Sequence, residues 1–438
     1  RVEAALNGVR LNADFIDNSG GVDCSDHEVN IKILLSEAVK SGKLTMKDRN
    51  QLLENMTEEV AALVLRNNYQ QALAVSLMEL QAYDELNHHR EYIQDLEERK
   101  ILTRKETGLP DDAVLVDRWG QGKGLTRPEL GMLMCYAKNL FAADLLKSDV
   151  PDAENMSRFL YRYFPERLCV DYSDEIANHS LRREIIATEI ANSLINRMGP
   201  TFVKYRMEKT GASSDQVVKA YIIVREAFGL PALWEQIEDL DFKGPALVQL
   251  KSMRDIAQLV EREVSWFLTR LRRDPDIDAD IPFIKSGVQK LKTGLRQALT
   301  QNMAFSLERA EQQASEDGLP GSLAREIALI PYLSAACDII RIADQLDADI
   351  ISCANVYYKV GEYFYLDWIR NQARFLNAED KWSTDAQEGL IEQIHVCQAG
   401  LTQQIMSDID RGVEDSQIFS QWLENNQYRA QQILDLIN

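Results

Sequence analysis

The chain has 438 residues, 45% hydrophobic and 27% charged, the balance of a soluble globular protein with ample core material. That length allows about three domains of ordinary size. Its 21 glycines and 11 prolines fall well under the roughly 12% of average usage. Long helices are therefore favoured over short strands, and a sandwich or propeller is excluded as the main architecture. Lys and Arg number 49 against 69 Asp and Glu, a net charge of −20. Such a surface repels phosphate backbones and anionic lipid, which argues against nucleic acid and membrane as partners.

The six cysteines include no CxxC and are too sparse for a disulfide framework, so they read as reduced core thiols of a cytoplasmic protein. No apolar run approaches the length of a membrane span, and the start, Arg1-Val-Glu-Ala-Ala-Leu6, has no signal-peptide pattern. The chain opens on Arg1 rather than Met, which leads us to expect a piece of something longer.

In chain order, Val9, Leu11, Ala13 and Phe15 alternate with Arg10, Asn12 and Asp14, the periodicity of a strand. This runs into Asp17-Asn-Ser-Gly-Gly21, a turn whose two glycines let the backbone bend sharply or approach a ligand. Helices are then expected to begin at a cap on Ser25 or Asp26. From there the patterns are almost only helical. Val60, Leu63 and Val64 share a face after Thr57, and Leu73, Leu77 and Leu80 continue one further along. Thr126-Arg-Pro-Glu129 reads as a helix start, with Thr126 as cap, Pro128 in the first turn and Glu129 reaching back. From Leu181 to Met198 the spacing of Ile186, Ile190, Leu194 and Met198 predicts a helix that Gly199-Pro200 stops. Breaks fall at 107–112, 273–282 and 316–321, and no fixed-period repeat is present.

Asp17-Asn-Ser-Gly-Gly-Val-Asp-Cys-Ser-Asp-His-Glu28 is the richest polar cluster. Free N–H groups at a helix start favour carboxylate or phosphate ligands. The same residues also make a tight turn with a solvated acidic cap, and Cys24-x-x-His27 with Asp23 and Asp26 supplies metal-ligand types without a second Cys/His pair. Glu85-x-x-His88 and Glu392-x-x-His395 carry the spacing used in di-iron bundles. They lie too far apart in sequence for one compact bundle and read as solvated helix faces. Gly120-Gln-Gly-Lys-Gly124 fails the phosphate-loop spacing and reads as a flexible lead into the Thr126 cap, although Lys123 could touch an anion across a subunit interface. Arg182-Arg183 and Arg270–Arg273 read as local ion pairs, and Tyr357, Tyr358 and Glu362–Trp368 as packing.

Asn18-Ser-Gly-Gly-Val-Asp-Cys-Ser25 resembles the Asn-x-Gly-Gly-Val-x-x-Ser signature near the end of the nucleotide-binding domain in amino-acid dehydrogenases of the glutamate dehydrogenase type. The longer stretch 11–33 is similar to the large bacterial NAD-specific glutamate dehydrogenases. Gly124-Leu-Thr-Arg-Pro-Glu-Leu130, Tyr163-Phe-Pro-Glu-Arg-Leu168, Leu181–Asn192 and Arg225–Pro231 agree with that resemblance. It spans nearly the whole chain.

The resemblance implies a far longer polypeptide with regulatory N-terminal domains, a catalytic core and a helical C-terminal domain, assembled as a homotetramer. This chain would supply the end of the NAD-binding catalytic domain with following helices (1–90) and the helical C-terminal domain (91–438). The fold expected is mainly α, with a short strand–turn remnant of a Rossmann-like domain followed by an extended helical domain. Asn18 aligns with the residue placed near the nicotinamide ribose. Val22 and Ser25 align with those beside the glutamate side-chain carboxylate, where a hydroxyl donates and a small apolar wall shapes the site. Small members of the family carry Ala where this chain has Asp17.

No Gly-x-Gly-x-x-Gly fingerprint occurs, and the family's catalytic lysine and aspartate would precede residue 1, so neither a catalytic residue nor a metal ligand is expected here. The implied reaction converts L-glutamate and NAD to 2-oxoglutarate, ammonia and reduced cofactor, with this chain alone inactive. A reading of a different class makes residues from about 90 onward a non-catalytic helical scaffold that holds subunits together or covers the cleft.

Overall fold

The computed structural model describes residues 1–271, 273–374, 381–408 and 417–437; Arg272 of the expected basic spot lies outside them. Among the described residues all regular structure is helical. The mainly α expectation holds, but the strand remnant at its start does not. Val9 to Ala13 form no regular structure, and Asp14–Asp17 is a single helical turn.

The alternation did not mark one covered side either: of its apolar positions Ala13 is buried and Leu11 half-buried, while Val9 and Phe15 are exposed. A strand also needs a second strand to take its N–H and C=O groups, and this region offers none. Side chains pin the segment instead. Arg127 Nε donates to Asn12 Oδ1 at 2.9 Å, and Arg1 Nη1 donates to the Asn12 carbonyl at 3.0 Å.

The following helix also starts earlier than expected, at Gly20 rather than after Ser25, and runs Gly20–Lys40. Its N-cap Ser19 makes no side-chain cap bond; the Ser19 hydroxyl accepts from Asn68 Nδ2 at 2.8 Å, and the same amide donates to the Ile16 carbonyl at 3.0 Å. One asparagine on a neighbouring helix thus ties down the turn that leads into the two glycines.

The chain forms two compact units, Arg1–Tyr221 with Leu268–Ile277, and Ile222–Phe267 with Asp278–Asn438. In the first, the helix Thr57–Gln81 packs on Gly20–Lys40, Arg127–Leu145 and Arg182–Met198. Arg182–Met198 buries Ile186, Ile190 and Leu194 as its spacing predicts, and ends at Gly199, whose φ of 81° suits a residue without a Cβ. On Thr57–Gln81 the fully buried residues are Val64, Ala74, Val75 and Met78, whereas Leu73, Leu77 and Leu80 are half-buried.

The Thr126–Glu129 capping box forms, with the Thr126 N–H donating to Glu129 Oε2 at 2.7 Å. In the lead into it Gly124 passes close to backbone, where a Cβ would lie 2.1 Å from the Ala82 carbonyl oxygen. Lys123 Nζ donates to Gln121 Oε1 at 3.1 Å.

In the second unit Val356, Val360, Phe364, Ile405, Phe419 and Trp422 form a buried cluster. The expected aromatic segment packs into it, with Tyr363 and Phe419 rings 5.6 Å apart. Trp368 and Tyr365 are exposed. The break at 273–282 is shorter than expected, because the helix Ile277–Ala298 begins inside it and carries Pro282. Cys337 and Cys353 are buried, but Cys24 and Cys397 are exposed, so the core-thiol expectation fails for those two. No described helix is long and apolar enough to cross a membrane.

Candidate functional site

The candidate site is the start of the Gly20–Lys40 helix, and its two faces differ in kind. Val22 and Ser25, three residues apart, share the outer face, with Val22 77% exposed. Asn18 lies just before the Ser19 cap, is exposed, and makes no side-chain hydrogen bond among the described residues. The Ser25 hydroxyl donates to the Gly21 carbonyl at 3.0 Å. To donate to a ligand carboxylate, Ser25 must exchange that bond for one to the ligand, an exchange that costs little at an exposed helix start. The backbone N–H groups of the first turn point out of the helix end, where the macrodipole favours an anion. The outer face therefore offers an amide, a hydroxyl, an apolar wall and a helix end of positive sign.

The inner face of the same helix carries a buried polar network. His27 is 1% exposed, lies 3.8 Å from Asp23 Oδ1, and stacks on Tyr163 with ring centroids 4.3 Å apart. Asn67 Nδ2 donates to Asp23 Oδ2 at 3.0 Å and lies 3.4 Å from His27 Nε2. The Tyr163 hydroxyl donates to Asp26 Oδ2 at 2.7 Å and accepts from Asn30 Nδ2 at 2.8 Å. Lys138 is half-buried along its stem, but its Nζ is buried without a hydrogen-bond partner. The carboxylates of Glu189 and Asp23 favour its charged form.

Burial pushes the Lys138 ammonium down to about 8 and the Glu189 carboxyl up to about 7. Burial likewise holds Asp23 above and His27 below their ordinary values, against the opposing pull of each on the other.

The metal reading of this cluster finds no support in its arrangement. Cys24 faces solvent while His27 is buried against Asn67 and Tyr163. Among the described residues no three His, Cys, Asp or Glu side chains group closely enough to hold a metal ion. Of the two Glu-x-x-His pairs, Glu85 and His88 bond each other at 2.8 Å. Glu392 lies 3.7 Å from Arg262, and His395 accepts from Arg370 at 3.2 Å. The second unit holds a cavity of about 410 Å³ whose lining includes Asp255, Arg262, Tyr332, Tyr357, Arg370 and His395.

Lys138, Glu189, Asn67 and Tyr163 were not singled out from the sequence as site residues. A signal for Lys138 was present. Met134, Ala137, Phe141 and Leu145 make the buried stripe of Arg127–Leu145, and Lys138 sits four residues after Met134 within it.

A family profile described as glutamate dehydrogenase, C-terminal, matches residues 122–438, and one described as bacterial NAD-glutamate dehydrogenase, catalytic domain, matches residues 1–78. The NAD-specific glutamate dehydrogenase of Halomonas elongata is 41% identical over 416 residues, covering 95% of this chain and 26% of that protein. That of Pseudomonas aeruginosa is 39% identical over 97% of this chain and 26% of its own length. The Mycobacterium tuberculosis protein of the same name is 30% identical over 96% of this chain and 26% of its own length. The chain thus spans about a quarter of the length of these curated relatives. With a family profile over most of its residues and relatives above 30% identity along nearly all of it, the chain belongs to the glutamate dehydrogenase family.

Proposed function

We propose that the chain works as part of an NAD-dependent glutamate dehydrogenase that oxidises L-glutamate to 2-oxoglutarate and ammonia. The observation that carries this is identity of 39–41% with two NAD-specific glutamate dehydrogenases along nearly the whole chain. The outer face at Asn18, Val22 and Ser25 supports it, because its free amide, hydroxyl and apolar wall suit a ribose and a carboxylate-bearing side chain.

Among the described residues no Rossmann sheet or fingerprint accompanies Asn18, so these residues fit one edge of NAD rather than the whole of it. NAD supplies the hydride acceptor when bound. In this reading Asn18 holds the nicotinamide ribose through its amide. Ser25 turns its hydroxyl from Gly21 to the substrate side-chain carboxylate, and Val22 closes the wall beside it. The helix start adds favourable potential for that carboxylate.

Residues 1–90 then belong with the catalytic domain and 91–438 form the helical C-terminal domain. That helical domain holds subunits of a cytoplasmic homotetramer together without supplying chemistry. The chain alone contributes no hydride chemistry and turns over no glutamate.

The test is glutamate-dependent NAD reduction followed at 340 nm, in the complete reading frame and in the 438-residue chain. Activity in the first alone is expected; inactivity of both, with intact folds, overturns the enzyme reading. Ser25→Ala in the complete enzyme should raise the KM for glutamate about fivefold, the net worth of one hydrogen bond. An unchanged KM removes Ser25 from the site.

A further inference from the structure

Two consecutive residues of the helix Thr57–Gln81 grip the signature segment at two separate points. That helix buries Val64, Ala74, Val75 and Met78. Asn68 follows Val64 by four residues and precedes Val75 by seven, and Asn67 precedes Ala74 by seven. Both therefore lie in the path of the apolar stripe. Two half-buried amides occupy it there in place of apolar side chains.

Asn68 Nδ2 donates to the Ile16 carbonyl at 3.0 Å and to the Ser19 hydroxyl at 2.8 Å. A carbonyl can only accept, so the first bond fixes which end of the amide faces the segment. Its two partners bracket Asn18, two residues before it and one after. Asn67 Nδ2 donates to Asp23 Oδ2 at 3.0 Å and lies 3.4 Å from His27 Nε2. Asp23 follows Val22 and precedes Ser25 by two residues. Among the described residues the two amides donate nowhere else.

Neither grip is what keeps the segment attached. At its front Ile16 is 1% exposed and packs beside Gly131, where a Cβ would lie 3.3 Å from Ile16 Cγ1. At its rear the stacked His27–Tyr163 pair and the Tyr163–Asp26 bond hold the second turn. Between these anchors run residues 17–25, and there the asparagines act. Water would satisfy the same acceptors, but a bond to a 25-residue helix also fixes their direction.

We propose that Asn67 and Asn68 are positioning residues that divide the two ligands between them. Asn68 sets the placement of Asn18 and with it the affinity for NAD, and Asn67 sets the placement of Val22 and Ser25 and with it the affinity for glutamate. This rests on the functional reading above and extends it to residues that never touch either ligand.

The experiment uses the full-length enzyme and measures kcat and the KM values for NAD and glutamate. The variants are Asn67→Leu and Asn68→Leu, which keep the volume and remove the donor, with Asn18→Ala and Ser25→Ala as direct-contact controls. An indirect effect stays below the loss of a direct contact. Asn68→Leu should raise the KM for NAD about threefold and leave that for glutamate unchanged, and Asn67→Leu should do the reverse. In both, kcat should stay within about twofold of wild type, because ground and transition states lose the same contact. Ser19→Ala and Asp23→Ala remove the same bonds from the other side, which keeps the proposal testable should a leucine variant fail to fold. Each should give a smaller rise in the matching KM and add nothing in the matching asparagine background.

Wild-type KM values in folded Asn67→Leu and Asn68→Leu, with raised values in Asn18→Ala and Ser25→Ala, overturn this inference alone. So does a lowered melting temperature with both KM values raised together in each leucine variant, the mark of a merely structural pair. Wild-type KM values in Asn18→Ala and Ser25→Ala overturn the functional reading of the site, and this inference with it.

Discussion

Glu129 is the position where a single substitution should reveal most about what holds the first unit together. Its carboxylate is 2% exposed and receives four donors: Arg118 Nη1 at 2.7 Å, Arg118 Nη2 at 3.0 Å, the Thr126 N–H at 2.7 Å and the Thr126 hydroxyl at 2.8 Å. Two of these form a bidentate pair with a guanidinium that is itself buried, and the Thr126 N–H bond closes one half of the capping box of Arg127–Leu145. Glu129→Ala strands the Arg118 charge in the interior, a loss of about 3–5 kcal/mol. It also removes the box, worth about 1 kcal/mol. The two effects share one carboxylate oxygen and do not add fully, so the expected loss is about 4 kcal/mol.

Against the 5–15 kcal/mol that holds a typical domain, this approaches outright unfolding. Urea unfolding by circular dichroism measures the loss, with Trp119 beside Arg118, the one tryptophan of Arg1–Tyr221, as a local fluorescence probe. The double variant Arg118→Met with Glu129→Met removes both charges and retains the volume. It should lie at least about 2 kcal/mol nearer wild type than Glu129→Ala, because no unpaired charge is left behind. A loss under about 1 kcal/mol in Glu129→Ala, or a double variant no better than the single, would refute the reasoning that burial without a partner dominates.

Two further outcomes follow from single atoms. Gly124→Ala places a methyl 2.1 Å from the Ala82 carbonyl oxygen and 2.2 Å from its carbon, and backbone cannot swing aside as a side chain can. A loss of about 3 kcal/mol is expected, and a melting temperature within a degree of wild type would contradict it. In the second unit Glu263 is buried with Oε2 unpartnered, and burial pushes its carboxyl up to about 8. Its folded-state value exceeds the unfolded value, so its contribution is fully present at pH 4 and is lost as pH rises through about 8. Glu263→Gln should match wild type near pH 4.5 and exceed it by up to about 5 kcal/mol at pH 9. Parallel melting profiles from pH 5 to 9 would show instead that the ionised carboxylate is accommodated.

The sequence was most legible where one helix face and its ends determine the answer. The spacing of Ile186, Ile190 and Leu194, the Gly199 stop and the Thr126–Glu129 box are all contacts or caps set within a few residues of chain, and all three formed. The misreadings occurred where a distant side chain overrides the local pattern. Val9–Phe15 alternates as a strand does, yet Arg127 satisfies Asn12 across 115 residues and no strand lies among the described residues to pair with it. Gly20 and Gly21 carry the low helix propensity of a turn, worth about 1 kcal/mol each in a helix interior. They sit in a first turn whose cap Asn68 holds from 49 residues away, and there the helix begins.

That shift in the helix start changes the meaning of the candidate site. With a start after Ser25, Asn18, Val22 and Ser25 would be scattered through a loop, and no geometry would connect them. With a start at Gly20, Val22 and Ser25 stand on one outward face, and Asp23 and His27 are turned inward onto Asn67 and Tyr163 by the same 3.6-residue period. The signature residues were legible because their identities are local. The network beneath them was not, because it joins residues as far apart as Asn30 and Tyr163, 133 positions distant, whose only local trace is a lysine in an otherwise apolar stripe. A charged residue at such a position breaks the apolar pattern, so an interrupted stripe is itself a reason to expect polar groups on the helices packed against it, as Asn67 and Tyr163 are here.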